Sequence, residues 1–78
     1  MTATEMGYRP PKAVTEHRGI YFTEHNLLYH ADVPVEAIER HWFGQYPPEG
    51  YNTTVRAGQV RDDGTRLVVV RRYSSTGD

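Results

Sequence analysis

An Asp-Gly turn between two strand-like segments constrains the fold of this chain more than any other feature of its sequence. Residues 53–61 and 65–73 are rich in Val, Thr and Tyr, which favour strands, and residues 62–64 (Asp-Asp-Gly) separate them. Because Asp and Gly tolerate the positive φ angles of a tight turn, this arrangement predicts a β-hairpin. Residues 67–70 are aliphatic without interruption, so the second strand is apolar on both faces. Such a strand is typical of a sheet interior, which implies a further strand beside it or a helix over one face.

A short amphipathic helix is predicted over residues 34–43. Proline suits the first turn of a helix, because its missing N–H would be unpaired there, and Pro34 stands at that position. Val35, Ile38 and Trp42 recur at helical spacing and share one face. A glycine and two prolines shortly after residue 43 end the pattern. With a single apolar stripe, this helix is expected to pack on a sheet or on another helix.

Residues 19–33 decide the fold class, because their pattern fits strands as well as a helix. In the first interpretation, strands over residues 19–23 and 27–33 flank a turn at residues 24–26 (Glu-His-Asn), and the second strand alternates apolar and polar side chains. Ile, Tyr, Phe and Val, which favour a pleated surface, are frequent in the segment. The element order is then ββαββ, a small α+β domain with an antiparallel sheet of four strands and one helix packed on it. We favour this interpretation.

In the second interpretation, residues 23–31 form a helix that turns into the following helix, and the C-terminal hairpin becomes a wing. The residues whose spacing supports it are Thr23, Leu27, Ala31, Val33, Val35, Glu36 and Ile38, followed by Gly44 and Pro47. Over about a third of the chain, this pattern resembles the helix-turn-helix of MerR-type regulators. The resemblance implies a winged helix-turn-helix that regulates transcription, with Arg40 and His41 near base edges in the major groove. Arg61 and Arg66, at the wing, then approach phosphates.

Both ends of the chain are predicted to lie outside the folded domain. Pro10 and Pro11 interrupt any regular pattern in residues 1–17, most of which are polar, so this segment is predicted to be a flexible arm. Residues 74–78 are polar and are predicted to fray. A single folded domain is therefore expected over residues 18–73.

The composition argues against an enzyme and against a metal or cofactor site. The 78 residues include no cysteine, which excludes a disulfide framework, a thiolate zinc site and a cysteine nucleophile. The 4 histidines include no i,i+4 pair, and the only serines, Ser74 and Ser75, lie in the segment predicted to fray. A glycine-rich phosphate loop is absent as well. We therefore expect no catalytic residue, no cofactor and no metal.

Charge and hydropathy bear on the location of the protein and on its partners. The longest aliphatic run, residues 67–70, is far shorter than the roughly 20 residues of a membrane-spanning helix, so no contact with a membrane is expected. The absence of cysteine favours a reducing compartment, and we expect the cytoplasm. A formal net charge of −1 does not favour non-specific binding of nucleic acid.

One group of side chains indicates a binding surface. Phe43, Tyr46 and Tyr51 surround the end of the predicted helix and the proline-containing loop that follows it. Rigid aromatic side chains are enriched at protein interfaces, because they lose little conformational entropy on binding. We therefore predict a small non-enzymatic module that binds another protein as a regulator, adaptor or inhibitor. Accessory proteins of phages and mobile elements, including inhibitors of the anti-CRISPR type, are one such class, and a homodimer fits both interpretations of the fold.

Overall fold

Four antiparallel strands and one packed helix make up the fold, and the computed structural model describes residues 2–73. Along the chain, the elements are β1 (Ala13–Arg18), β2 (Phe22–His30), α1 (Val35–Gln45), the short helix α2 (Pro48–Tyr51), β3 (Thr54–Val60) and β4 (Thr65–Tyr73). The strand order in the sheet is β1-β2-β4-β3. This arrangement confirms the predicted ββαββ domain. Neither described helix is long and apolar enough to cross a membrane.

The C-terminal hairpin lies where the sequence predicts it. β3 and β4 pair antiparallel, from Thr54 opposite Arg71 to Val60 opposite Arg66, with a register shift between residues 57 and 60. Gly64 in the turn has a φ of 79°, the left-handed conformation that favours glycine. On its other side β4 pairs with β2 along the full length of both strands, so the strand with the aliphatic run is an interior strand, as predicted.

The first hairpin is displaced from its predicted position. The sequence predicts a turn at residues 24–26, whereas the chain turns at residues 19–21 and β2 runs through 24–26 without interruption. Gly19 explains the position of the turn. Its N–H donates to the carbonyl oxygen of Phe22 at 2.7 Å, and a Cβ at Gly19 would lie only 2.9 Å from that oxygen. A side chain at this position would therefore force the turn open.

The helix-turn-helix alternative is wrong, because residues 22–30 form an interior strand where that fold requires a helix. The polar tripeptide at residues 24–26 fits a strand because its members lie on opposite faces. Glu24 and Asn26 lie on one face of β2, and His25 is buried on the other. The same alternation continues through Leu27 and Tyr29, which are both buried.

The N-terminal segment contributes to the sheet. Strand β1 lies within and just beyond residues 1–17, the segment predicted as an arm, and it pairs with β2 from Ala13 opposite Leu28 to Arg18 opposite Thr23. Every residue of β1 is exposed, so its sequence carries no apolar alternation by which a strand could be recognised. Upstream of it, Tyr8 packs against the core. The predicted frayed tail, residues 74–78, lies outside the described residues.

The core lies between α1 and one face of the sheet, which we call the helix face. Its residues are at most 1% exposed and come from β2, β4, α1 and the loop before α1: Leu27, Tyr29, Val33, Ala37, Ile38, Val68 and Val70. Of the predicted apolar stripe of the helix, Ile38 is fully buried, whereas Val35 and Trp42 are half-buried. Burial of this face supplies the main driving force for folding.

Candidate binding surfaces

The aromatic residues predicted as a binding patch lie at the C-terminal end of α1. Tyr46 directly follows α1 and Tyr51 ends α2, and their rings meet edge to face with centroids 5.3 Å apart. Trp42 stacks on Tyr46 at 6.1 Å, and the guanidinium carbon of Arg72 lies 4.2 Å from the centre of the Tyr46 ring. Phe43 is half-buried on α1, outside these contacts. We call Trp42, Tyr46, Tyr51 and Arg72 the ring cluster. It joins two residues of the predicted patch, Tyr46 and Tyr51, to Trp42, which is predicted on the apolar stripe of the helix, and to Arg72, which the sequence does not indicate.

A chain of hydrogen bonds joins the N-terminal segment to the helix. The indole N–H of Trp42 donates to the hydroxyl of Tyr29 at 3.1 Å, and the hydroxyl groups of Tyr29 and Tyr8 lie 3.0 Å apart. The Tyr8 ring also stacks on His41, with centroids 4.1 Å apart. Burial, together with the bond to Tyr29, raises the pKa of Tyr8 above its ordinary value. These contacts hold Tyr8 over the seam between helix and sheet.

His25 is a buried titratable group beneath the ring cluster. Its residue surface is 5% exposed, and its ring lies 4.9 Å from that of Trp42. Nδ1 lies 3.5 Å from a carboxylate oxygen of Glu16 on β1, and Nε2 has no hydrogen-bond partner among the described residues. Burial lowers the pKa of His25, the positive charge of Arg72 on β4 lowers it further, and Glu16 opposes this shift.

Acidification is expected to destabilise the fold through two histidines, the buried His25 and the half-buried His41. Burial lowers the pKa of His41 as well as that of His25, so below about pH 6.5 the unfolded chain binds protons that the folded chain resists. The free energy of unfolding should then fall with pH, by at most about 1.4 kcal/mol per pH unit for each proton involved. Urea titrations between pH 7.5 and 5 measure this slope.

The double variant His25→Gln/His41→Gln is expected to flatten that slope. The carboxylates whose pKa is lowered, Glu16 and Glu24 among them, lose their charge only at more acidic pH and leave this window unaffected. An unchanged slope in the double variant would contradict the assignment of the effect to these two rings.

The sheet face opposite α1, which we call the open face, is not covered by any element of residues 2–73. Leu67 is 40% exposed, whereas its neighbours on the helix face, Val68 and Val70, are completely buried. Phe22 is 37% and Tyr73 50% exposed. The side chains that strand pairing places on this face include Phe22, Glu24, Leu28, Arg56, Leu67, Val69, Arg71 and Tyr73. An apolar centre on an interior strand pair is thus left in contact with solvent.

A cleft of about 280 Å³ opens at the β3 side of the open face. It is lined by Asn52, Thr54, Arg56, Val69, Arg71 and Tyr73. Arg71 reaches across the face to β2, where Nη2 donates to Glu24 at 2.7 Å and the guanidinium carbon lies 4.9 Å from the centre of the Phe22 ring. The hydrogen bond from Arg71 lowers the pKa of Glu24, so this carboxyl group is ionised at neutral pH.

The residues predicted to contact nucleic acid lie on different elements of the fold. Arg40 and His41 lie on α1, and the His41 ring is occupied by stacking on Tyr8. Arg61 lies in the C-terminal hairpin, and Arg66 is half-buried on β4 with its Nε shielded from solvent. Their predicted roles assumed a helix-turn-helix, and residues 22–30 form strand β2 in place of its first helix.

Within residues 2–73, no three His, Asp or Glu side chains lie close enough together to hold a metal ion. Comparisons with known proteins add no functional assignment. No protein-family model, no curated protein and no solved structure matches this chain. Two surfaces, the ring cluster and the open face, remain as candidates for a functional contact.

Proposed function

We propose that this chain is a non-enzymatic protein-binding module, and that its open face contacts the partner. The supporting observation is the 40% exposure of Leu67 in the middle of a four-stranded sheet. Apolar patches rimmed by charged side chains are typical of protein interaction sites. Because the chain has no cysteine, we place this function in the reducing cytoplasm.

Charge favours an acidic partner over a second copy of this chain. The strongly charged side chains of the open face are Glu24, Arg56 and Arg71, and Glu24 is paired with Arg71. Arg56 is then left with an unbalanced positive charge. Two open faces packed together would oppose these charges, whereas a partner with an apolar surface and a carboxylate beside it would neutralise them. The occupant we propose is therefore a different protein with that chemistry.

The ring cluster is the competing surface, and it is less suited to the role. Tyr46 is already in contact with Trp42, Tyr51 and Arg72, so a partner would compete with internal packing for the same ring. We therefore assign these rings to packing of the helix on the sheet. Phe43 remains part of the competing hypothesis, because it is half-buried beside the cluster.

A matched pair of exposed strand residues separates the two faces of the sheet. Leu67 on the open face is 40% exposed, and Val14, on the helix face beyond the reach of α1, is 57% exposed. Leu67→Ser should lower the affinity for the partner by a factor of about ten or more, as expected for a residue at the centre of an interface. Val14→Ser should leave the affinity unchanged. The partner is first isolated with the tagged wild-type protein from cells that express it naturally, and is then purified for calorimetry.

The double variant Phe43→Ala/Tyr46→Ala tests the competing surface in the same titration. Retained affinity in this variant, together with loss in Leu67→Ser, supports the open face. Full affinity in Leu67→Ser with a folded spectrum would contradict it. Circular dichroism of each variant confirms that the fold is intact.

A further inference from the structure

We propose that the cleft between Arg56 and Arg71 binds a carboxylate side chain, Asp or Glu, of the partner; this inference rests on the proposed function. The cleft is lined by two arginines, by Thr54 and Tyr73, which carry hydroxyl groups, and by Asn52, which carries an amide. Guanidinium groups bind carboxylates with directed, charge-assisted hydrogen bonds. Val69 adds an apolar side chain to the same lining.

One of the two arginines is held in position before any ligand arrives. Arg71 donates from Nε and Nη2 to the same oxygen of Glu24, at 3.3 and 2.7 Å. Its guanidinium carbon also lies 4.9 Å from the centre of the Phe22 ring. A side chain restrained in this way loses less conformational entropy when it binds a further group. Arg71 therefore forms the fixed wall of the cleft.

The other arginine supplies the unbalanced charge. Among the described residues, Arg56 forms no ion pair, and Arg71 already shares its charge with Glu24. The three groups together carry a net charge of about +1 at neutral pH. One carboxylate, the anionic group that protein side chains carry at neutral pH, neutralises this charge. The geometry thus points to an acidic side chain as the ligand.

The inference can be tested without the partner, by NMR titration of the ¹⁵N-labelled full chain. The probe is glutamate blocked at both ends, and the matched neutral probe is glutamine blocked in the same way. Blocked glutamate should produce saturable shifts of the Nε–H signals of Arg56 and Arg71, and blocked glutamine should produce none at the same concentrations. Equal effects of glutamate and glutamine would overturn the inference.

Two variants with the same change of charge distinguish binding in the cleft from a response of the probe to the overall charge of the protein. Arg56→Gln should lower the affinity for blocked glutamate about fivefold, which is the upper range for the loss of a partly exposed ion pair. Arg61→Gln, in the hairpin outside the cleft, should have no effect. Equal weakening by both variants would mean that the probe responds to net charge alone, and would overturn the inference.

The purified partner distinguishes failure of this inference from failure of the proposed function. If Leu67→Ser abolishes partner binding and Arg56→Gln leaves it intact, the open face stands and the carboxylate assignment is wrong. If the cleft binds blocked glutamate but Leu67→Ser leaves the partner affinity intact, the proposed function is wrong. Loss of partner affinity in both variants supports both statements.

Discussion

Replacing Ile38 by alanine is expected to lower the free energy of unfolding by about 2–5 kcal/mol. Ile38 is completely buried on α1 and belongs to the core cluster, together with Leu27 and Val68 of the sheet. Its removal deletes apolar contacts and leaves a cavity that the surrounding backbone fills only in part. A domain of this size is marginally stable, with a total of about 5–15 kcal/mol or less. The variant should therefore be partly or fully unfolded at 37 °C.

Urea denaturation followed by circular dichroism measures this effect. Glu36→Ala is the matched control, because Glu36 is exposed on the same helix. The control should lie within about 0.5 kcal/mol of the wild type. A similar stability of the two variants would mean that α1 does not pack on the sheet through Ile38.

Replacing Tyr29 by phenylalanine is expected to lower the free energy of unfolding by about 1–3 kcal/mol, although only one oxygen is removed. That oxygen accepts the hydrogen bond of the Trp42 indole at 3.1 Å and lies 3.0 Å from the Tyr8 hydroxyl. Tyr29 is completely buried, so water cannot replace the lost partner without opening the seam. The cost arises mainly from the two groups that remain without a hydrogen bond.

Tyr8→Phe and Tyr21→Phe calibrate this result. Tyr8→Phe leaves the bond between Trp42 and Tyr29 in place and should cost less, about 0.5–1.5 kcal/mol. Tyr21 is 73% exposed in the turn between β1 and β2, so Tyr21→Phe should be neutral. In a double-mutant cycle, Tyr8 and Tyr29 should be coupled rather than additive. Equal stability of Tyr29→Phe and Tyr21→Phe would contradict the hydrogen-bonded network.

The sequence predicts correctly those elements that depend on interactions between residues close together in the chain. The C-terminal hairpin depends on the positive φ of Gly64, and the Asp-Gly pair in the sequence predicts such a conformation. The sequence predicts the turn of the first hairpin at the wrong position, because the polar residues 24–26 resemble a turn. Within the fold, Glu24 forms an ion pair with Arg71 on the neighbouring strand, and His25 packs on Trp42, seventeen positions away along the chain. Neither partner can be identified from the local pattern.

The first strand escaped prediction for a related reason. Every residue of β1 is exposed, so the strand is held by pairing with β2 rather than by an apolar face. Tyr8, which precedes it, reaches the core only because the chain returns over the seam between helix and sheet. A predominantly polar segment thus joins the fold through tertiary contacts.

The candidate surfaces also contain parts that local sequence predicts and parts that it does not. Tyr46 and Tyr51 are close in sequence, and their proximity was predicted, but Arg72 reaches their cluster from β4. The open face could not be located in advance, because the side of β4 that α1 covers depends on tertiary packing. Leu67 and Val68 are adjacent and both aliphatic, yet the structure exposes one and buries the other. Sequence alone does not distinguish them.

The most direct test of the account is an NMR assignment of residues 22–30. Both proposals require β2 to be one uninterrupted interior strand, because its register places Glu24 on the open face and His25 on the helix face. We expect extended backbone chemical shifts throughout, with cross-strand contacts from His25 to Val70 and from Leu27 to Val14. Helical shifts over residues 24–31, or a turn at residues 24–26, would contradict the fold and remove the open face with it.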